Sequence, residues 1–76
     1  MTRVLVRVEA VFPNFVRLTV SSWQPDVPLY VLRRSLPPDV DAKLLRGGYV
    51  FVHADLDADT SAELVASFKD WEWQPR

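Results

Sequence analysis

The chain has 76 residues, a formal net charge of −1 and no cysteine. This length fits one small domain with a thin core, and a 49% share of hydrophobic residues excludes an intrinsically disordered chain. The lack of cysteine excludes disulfide scaffolds, thiolate zinc sites and thiol catalysis. No apolar run approaches the roughly 20 residues of a membrane span. The opening MTRVLVRVEA lacks the apolar core of a signal peptide, so we expect a cytoplasmic protein.

The first twenty residues predict a β-hairpin, because apolar and polar residues alternate in two runs separated by Pro13-Asn14. Two registers keep both apolar sets on one face, one with Val8 opposite Leu18 and one with Val8 opposite Val20. We favour the first, because it also places Glu9 opposite Arg17. This register leaves residues 11–15 as a five-residue tip. The even positions that are expected to face the core are Val4, Val6, Val8, Ala10, Phe12, Val16, Leu18 and Val20.

The middle of the chain predicts two more strands and a short helix. A loop over residues 23–28 contains two prolines, and a third strand follows from Leu29 to Arg34. A helix is expected from Asp39 to Leu45, ended by Gly47 or Gly48. The apolar alternation then predicts a fourth strand from Tyr49 to Asp57.

The last twenty residues allow two interpretations. Thr60-Ser61-Ala62-Glu63 has the pattern of a helix capping box, which favours a helix from Ser61 to about Lys69. The other interpretation is a single helical turn followed by a fifth strand from about Val65 to Trp73. We favour the strand, because aromatic residues suit strands and a fifth strand would cover an exposed sheet edge.

Five short strands with a helical segment between the third and fourth resemble the small barrels of the SH3-like and OB-like kind. We therefore predict a mainly β fold, a small five-stranded antiparallel barrel that spans residues 1–76 as a single domain. The alternative is an α+β fold, in which a four-stranded sheet carries a C-terminal helix. The resemblance is one of topology, and it implies a binding module more often than an enzyme.

The acidic run after the fourth strand resembles the opening of an EF-hand loop, since Asp55, Asp57 and Asp59 are spaced by two. However, Thr60 stands where that loop needs glycine, and Ala66 where it needs a bidentate glutamate. We expect strand-end and helix-cap residues and no metal site.

His53 is the only histidine, so it is the sole candidate for a general base near neutral pH. Nucleophilic catalysis would also need a positioned hydroxyl and an orienting carboxylate. The chain has no phosphate-binding loop and no nucleophile-elbow motif. We therefore expect a partly exposed strand histidine, no catalytic residue, no cofactor and no enzyme.

The charge is unevenly placed along the chain. Residues 1–34 carry five arginines against two acidic residues, a net +3, and the remaining residues carry a net −4. This balance does not favour duplex DNA binding, which needs a larger positive excess. The outer face of the first hairpin nevertheless combines Arg3, Arg7 and Arg17 with Phe15 at its tip, and such a face can bind single-stranded RNA or DNA.

Apolar surface left over from the core supports a different function. Large exposed rings are costly to leave in water, and a few of them usually dominate a protein interface. The aromatic candidates are Phe15, Trp23, Trp71 and Trp73. We predict a non-enzymatic protein–protein interaction module, whose partner is another protein or a second copy of the chain; single-stranded nucleic-acid binding is the alternative.

Overall fold

Five antiparallel strands and two short helices form the fold, as a computed structural model shows for residues 1–21 and 28–75. In chain order they are β1 (Thr2–Val11), β2 (Phe15–Val20), β3 (Pro28–Leu32), α1 (Pro38–Leu44), β4 (Gly48–Ala54), α2 (Ser61–Ala66) and β5 (Lys69–Trp73). The strands form one sheet in the order β3-β2-β1-β4-β5. The prediction of a mainly β, five-stranded antiparallel fold is confirmed.

The predicted barrel is not confirmed, because the sheet is not closed. β3 and β5 are its two edges, and no strand pairing joins them among the described residues. Helix α2 lies against β3 on the inner side of the sheet. One edge of the sheet therefore faces a helix instead of a strand.

The first hairpin keeps the predicted register only in the part farther from its tip, from Val6 to Val8. Val8 lies opposite Leu18, as the alternation predicts. A β-bulge at Glu9 then adds one residue to β1, so Arg17 lies opposite Ala10 and the predicted cross-strand position of Glu9 is wrong. The charge pair itself is present, since Glu9 Oε2 lies 3.2 Å from Arg17 Nε.

The bulge also changes the tip of the hairpin. Val11 lies opposite Val16 and packs against the core. An unbroken alternation would place only even-numbered residues of β1 on this inner face. The tip shortens to residues 12–15, closed by a hydrogen bond that the Phe12 amide donates to the Phe15 carbonyl at 2.9 Å. Phe12, predicted to face the core, instead stacks its ring on Phe15.

The third and fourth strands are shorter than predicted. β3 ends at Leu32, because residues Arg33–Ser35 form a turn of 3₁₀ helix. β4 ends at Ala54, ahead of the acidic run. Most of the predicted loop over residues 23–28, including Trp23, lies outside the described residues; Pro28 belongs to β3.

Helix α1 fits its prediction to within a residue at each end. Pro38 occupies its first turn, where a missing amide hydrogen costs nothing, and the buried residues Val40 and Leu44 lie one turn apart. Gly47 and Gly48 follow with φ values of 68° and 92°, a region that favours glycine. These two residues turn the chain from α1 directly into β4.

The C-terminal segment contains both elements that its sequence allows. α2 is a helix of 6 residues, and the Thr60 hydroxyl accepts a hydrogen bond from the Glu63 amide at 3.1 Å, as in a capping box. β5 follows and pairs with β4, which confirms the favoured strand. Asp70 in β5 has a φ of 58°, beside an irregularity in this pairing.

The core lies on one face of the sheet, under both helices. It combines the inward valines and leucines of the strands with Val40 and Leu44 of α1 and Leu64 of α2. Leu18, on the interior strand β2, is completely buried. Within residues 1–21 and 28–75, no helix has the length and apolar character needed to cross a membrane.

Candidate binding surfaces

Two of the three arginines in the nucleic-acid alternative are held by carboxylates on the outer face of the sheet. Arg3 Nη2 lies 2.9 Å from Glu72 Oε2, and the Arg3 guanidinium sits 4.0 Å above the Phe51 ring. Arg17 forms an ion pair with Glu9, but the Nε atom of Arg17 is not aligned for a hydrogen bond to that carboxylate. Arg7 makes no ion pair with any residue that the structure describes.

Phe15 is half-buried in an aromatic cluster at the hairpin tip. Its ring centroid lies 4.6 Å from that of Phe12 and 5.8 Å from that of Tyr30 on β3. Thr19, which the alternation places on the outer face, is 5% exposed and lies between Arg7 and Pro28 in the register. Of this group, Tyr30 is the most open to solvent, at 60% exposed.

Trp71 and Trp73 of β5 lie side by side on the inner face. Their rings stack at 6.4 Å between centroids, and both indoles are half-buried against the core. Phe68 contacts Trp71 edge to face at 5.8 Å. Of the four predicted partner-binding residues, Trp23 lies outside the described part of the chain, and the other three are half-buried.

An apolar cleft, here called the edge cleft, separates β3 from α2 and β5. Its volume is about 520 Å³. This is within the range of small binding sites. Its walls include Tyr30, Leu32 and Leu36 on one side and Val65, Phe68 and Trp71 on the other.

The backbone of β3 faces the edge cleft with unpaired groups. The Phe15 carbonyl accepts a hydrogen bond from the Phe12 amide, so the amide and carbonyl of Phe15 point towards β1. The backbone groups of successive strand residues alternate in direction, so those of Val16 point towards β3. Val16 lies opposite Val31, so the backbone groups of Val31 form the hydrogen bonds that join β3 to β2. The amide of the next residue, Leu32, therefore points away from the sheet. The Arg33 amide is consistent with this alternation, because it points back to the hairpin and donates a hydrogen bond to the Asn14 carbonyl at 3.1 Å.

Arg33 joins three segments near one end of the edge cleft. Its guanidinium binds both carboxylate oxygens of Asp41 in α1, at 2.9 Å and 3.2 Å, and donates to the Phe12 carbonyl at 3.1 Å. The hydrogen bond from Arg33 lowers the pKa of the Asp41 carboxyl below its ordinary range, and the same contact raises the pKa of Arg33. This bidentate pair fixes α1 and the hairpin tip against the end of β3.

His53 lies on the outer face, away from the edge cleft. Its Nδ1 atom is 3.1 Å from Asp70 Oδ2, and both side chains are substantially exposed. Within the described residues, no hydrogen bond connects His53 to a serine, threonine or tyrosine hydroxyl. A histidine and a carboxylate alone do not make a nucleophilic site.

The acidic run serves the turn between β4 and α2. Asp55 Oδ1 accepts from the Asp57 amide at 3.1 Å, and Glu63 Oε2 accepts from the Asp59 amide at 3.0 Å. These carboxylates satisfy backbone donors of the turn and of the helix start. No group of three or more potential metal ligands occurs among the residues described.

No protein-family model, curated protein or solved structure matches the chain. The sequence does not predict the edge cleft, because its two walls come from residues about 30–40 positions apart along the chain. The available signal was the short third strand itself, in which Tyr30 and Leu32 alternate with buried residues and point to solvent.

Proposed function

We propose that the chain is a non-enzymatic protein-binding domain that takes up an extended segment of a partner protein in the edge cleft, beside β3. The observation that supports this most is the outward-pointing backbone of β3 next to an apolar groove. Strand addition at a sheet edge uses both features, because backbone hydrogen bonds give affinity and pockets for alternate side chains give specificity.

The two walls of the edge cleft make different demands on a ligand. The β3 wall offers the backbone groups of Tyr30 and the amide of Leu32, which need hydrogen-bonding partners. The opposite wall offers the apolar side chains of Val65 and Trp71, which gain from contact with other apolar groups. An extended peptide with apolar side chains on one face satisfies both walls.

This proposal connects the predicted anchors with the predicted barrel. Trp71 lines the edge cleft directly, and Phe15 supports Tyr30 from the outer face. An added strand would pair with β3 at the edge of the sheet that α2 now faces. The bound complex would then be closer to the SH3-like or OB-like barrel than the free chain is.

The decisive experiment removes one amide hydrogen from the β3 edge. Leu32 has a φ of −67°, the angle that proline adopts, so Leu32→Pro fits the backbone and removes only the outward amide hydrogen. Leu32→Ala is the matched control, since it shortens the same side chain and keeps that hydrogen. Peptides selected from a random phage-displayed library on the wild-type protein serve as probes.

We expect Leu32→Pro to bind the selected peptides roughly two- to twelvefold more weakly than Leu32→Ala, the equivalent of one net hydrogen bond of about 0.5–1.5 kcal/mol. Hydrogen exchange at the Tyr30 and Leu32 amides should slow on peptide binding. Failure to select any peptide, or equal binding by the two variants, would contradict strand addition.

The apolar wall provides a separate test. Val65 is half-buried and lies on α2, so Val65→Glu puts a charge into the edge cleft without touching β3. We expect this variant to lose peptide binding, whereas Ala42→Glu, at an exposed position of α1 outside the edge cleft, should retain it. If sedimentation shows a concentration-dependent mass that Leu32→Pro abolishes, the bound strand is that of a second copy.

Single-stranded nucleic-acid binding by Arg3, Arg7, Phe15 and Arg17 remains the second candidate. The two carboxylate pairs on this face reduce the charge available to phosphates. The test is the affinity for a single-stranded oligonucleotide across a range of salt concentrations. A steep loss of affinity with salt that Arg7→Gln reduces would favour this candidate over peptide binding.

A further inference from the structure

The edge cleft combines one free strand edge with one apolar wall, and together they constrain the segment that can bind there. We propose that this segment is five residues long, matching the five residues of β3, that it runs antiparallel to β3, and that it carries apolar, uncharged side chains at its second and fourth positions. The inference rests on the strand addition proposed above, and it names the class of peptide that strand addition selects.

The two edges of the sheet differ in how readily they accept another strand. β5 carries the charged residues Lys69, Asp70 and Glu72, and its pairing with β4 is irregular beside Asp70, whose φ is 58°. Charges and bulges of this kind protect an edge strand from further pairing. β3 has no charged residue, and its register with β2 is unbroken from Pro28 to Leu32. Of these two edges, β3 is the one suited to receive a strand.

The direction of the bound segment follows from the two faces of the sheet. Each pair of neighbouring strands in the sheet is antiparallel. Both helices pack on the inner face, whereas Tyr30 and Leu32 on the outer face of β3 are 60% and 47% exposed. Parallel strands occur almost only in sheets covered on both faces, and their pairing is slightly less stable per residue. An antiparallel segment therefore suits this edge better than a parallel one.

The register assigns each residue of the segment to one face. In an antiparallel register centred on Tyr30, the third residue exchanges two backbone hydrogen bonds with Tyr30 and lies beside its ring on the outer face. The Leu32 amide donates to the carbonyl of the first residue, and the Pro28 carbonyl accepts from the amide of the fifth. The second and fourth side chains then project inward, as the buried side chains of Val31 and Leu29 do.

Charge decides which side chains the inward positions accept. Within the described part of the chain, no charged residue lines the edge cleft. Arg33, near one end of the edge cleft, has its guanidinium bound by both carboxylate oxygens of Asp41. A charged side chain at an inward position would lose hydration without gaining a partner. An apolar side chain there instead contacts the wall formed by Val65, Phe68 and Trp71.

Backbone N-methylation of a bound peptide distinguishes the two directions, because it removes one amide hydrogen at a chosen residue. In an antiparallel pair, the residues that bond to Tyr30 and Leu32 are those whose side chains lie on the outer face. In a parallel pair, the bonds come from the residues on either side, whose side chains face inward. The probe is a synthetic peptide with the sequence of the tightest binder selected from the phage-displayed library.

We expect glutamate substitution to abolish binding at two positions of this peptide that are separated by one residue, and to be tolerated at the residue between them. N-methylation of that intervening residue should weaken binding about two- to twelvefold, the equivalent of one net hydrogen bond. N-methylation at the two inward positions is the matched control and should leave the affinity unchanged. A nitroxide at the peptide N-terminus should broaden the amide signal of Ser35 more than that of Leu29.

Three results would overturn the proposal. The first is weaker binding on N-methylation at the inward positions instead, which would show a parallel segment. The second is tolerance of glutamate at every position. The third is self-association that Leu32→Pro abolishes and excess peptide does not reverse, which would place a second copy on this edge. Equal binding by Leu32→Pro and Leu32→Ala contradicts strand addition itself, so the two proposals fail by different measurements.

Discussion

Replacement of Leu18 by alanine should remove a large part of the stability of this protein. Leu18 is completely buried on the interior strand β2, opposite Val8 on one side and Leu29 on the other. Loss of three carbons at about 0.8 kcal/mol each, together with the cavity left behind, gives a cost of about 3–4 kcal/mol. A domain of this size is stable by only about 4–11 kcal/mol in total. The melting temperature should therefore fall by roughly 15–30 °C.

Urea unfolding followed by tryptophan fluorescence and circular dichroism measures this loss. Leu32→Ala is the control, because Leu32 is 47% exposed and its replacement should cost less than about 1 kcal/mol. If Leu18→Ala costs no more than Leu32→Ala, the side chain does not occupy the core and the register of the hairpin is wrong.

Four further predictions follow from the described contacts. Arg33→Met should melt at a lower temperature than Arg34→Met, because Arg33 alone of these neighbours holds α1 to the hairpin; equal melting would contradict that role. Because the pKa of Asp41 is lowered in the folded protein, its ion pair with Arg33 stabilises the fold fully above about pH 4, and this stabilisation is lost as the pH falls through the lowered pKa. The difference in melting temperature between wild type and Asp41→Asn should therefore shrink over that pH range. Calorimetry should detect no saturable micromolar Ca²⁺ binding, so a site abolished by Asp57→Asn would refute the turn role of the acidic run. His53→Ala should leave folding and peptide affinity unchanged, and a turnover lost with it would show an enzyme.

Regular alternation of residues was enough to predict β1, β2 and β4. The inward positions of β2 and β4 follow the predicted parity, and the Thr60 capping box marks the start of α2 at the predicted residue. Such local patterns are visible because side chains on a strand alternate strictly between two faces. The order in which the strands pair required the structure.

Local departures from that alternation could not be predicted. The bulge at Glu9 adds a residue to one strand only, so it exchanges the faces of Val11 and Phe12 without any change in composition. Trp73 was expected among the exposed aromatic residues, yet it is half-buried and stacks on Trp71. The edge cleft depends on long-range packing between β3 and α2, for which the sequence carries no periodic signal.

The position of β1 between β2 and β4 has a consequence for the order in which the chain acquires structure. The β1–β2 hairpin closes over a few residues, whereas the β1–β4 pairing joins Thr2 to Ala54. Closing the longer loop costs about 2 kcal/mol more in chain entropy than closing the short one. During synthesis, the second edge of β1 has no partner until β4 (Gly48–Ala54) leaves the ribosome. The nascent hairpin therefore exposes an unpaired strand edge and the apolar face of Val4, Val6 and Val8 for that interval, which makes this stage the one most open to association with other chains.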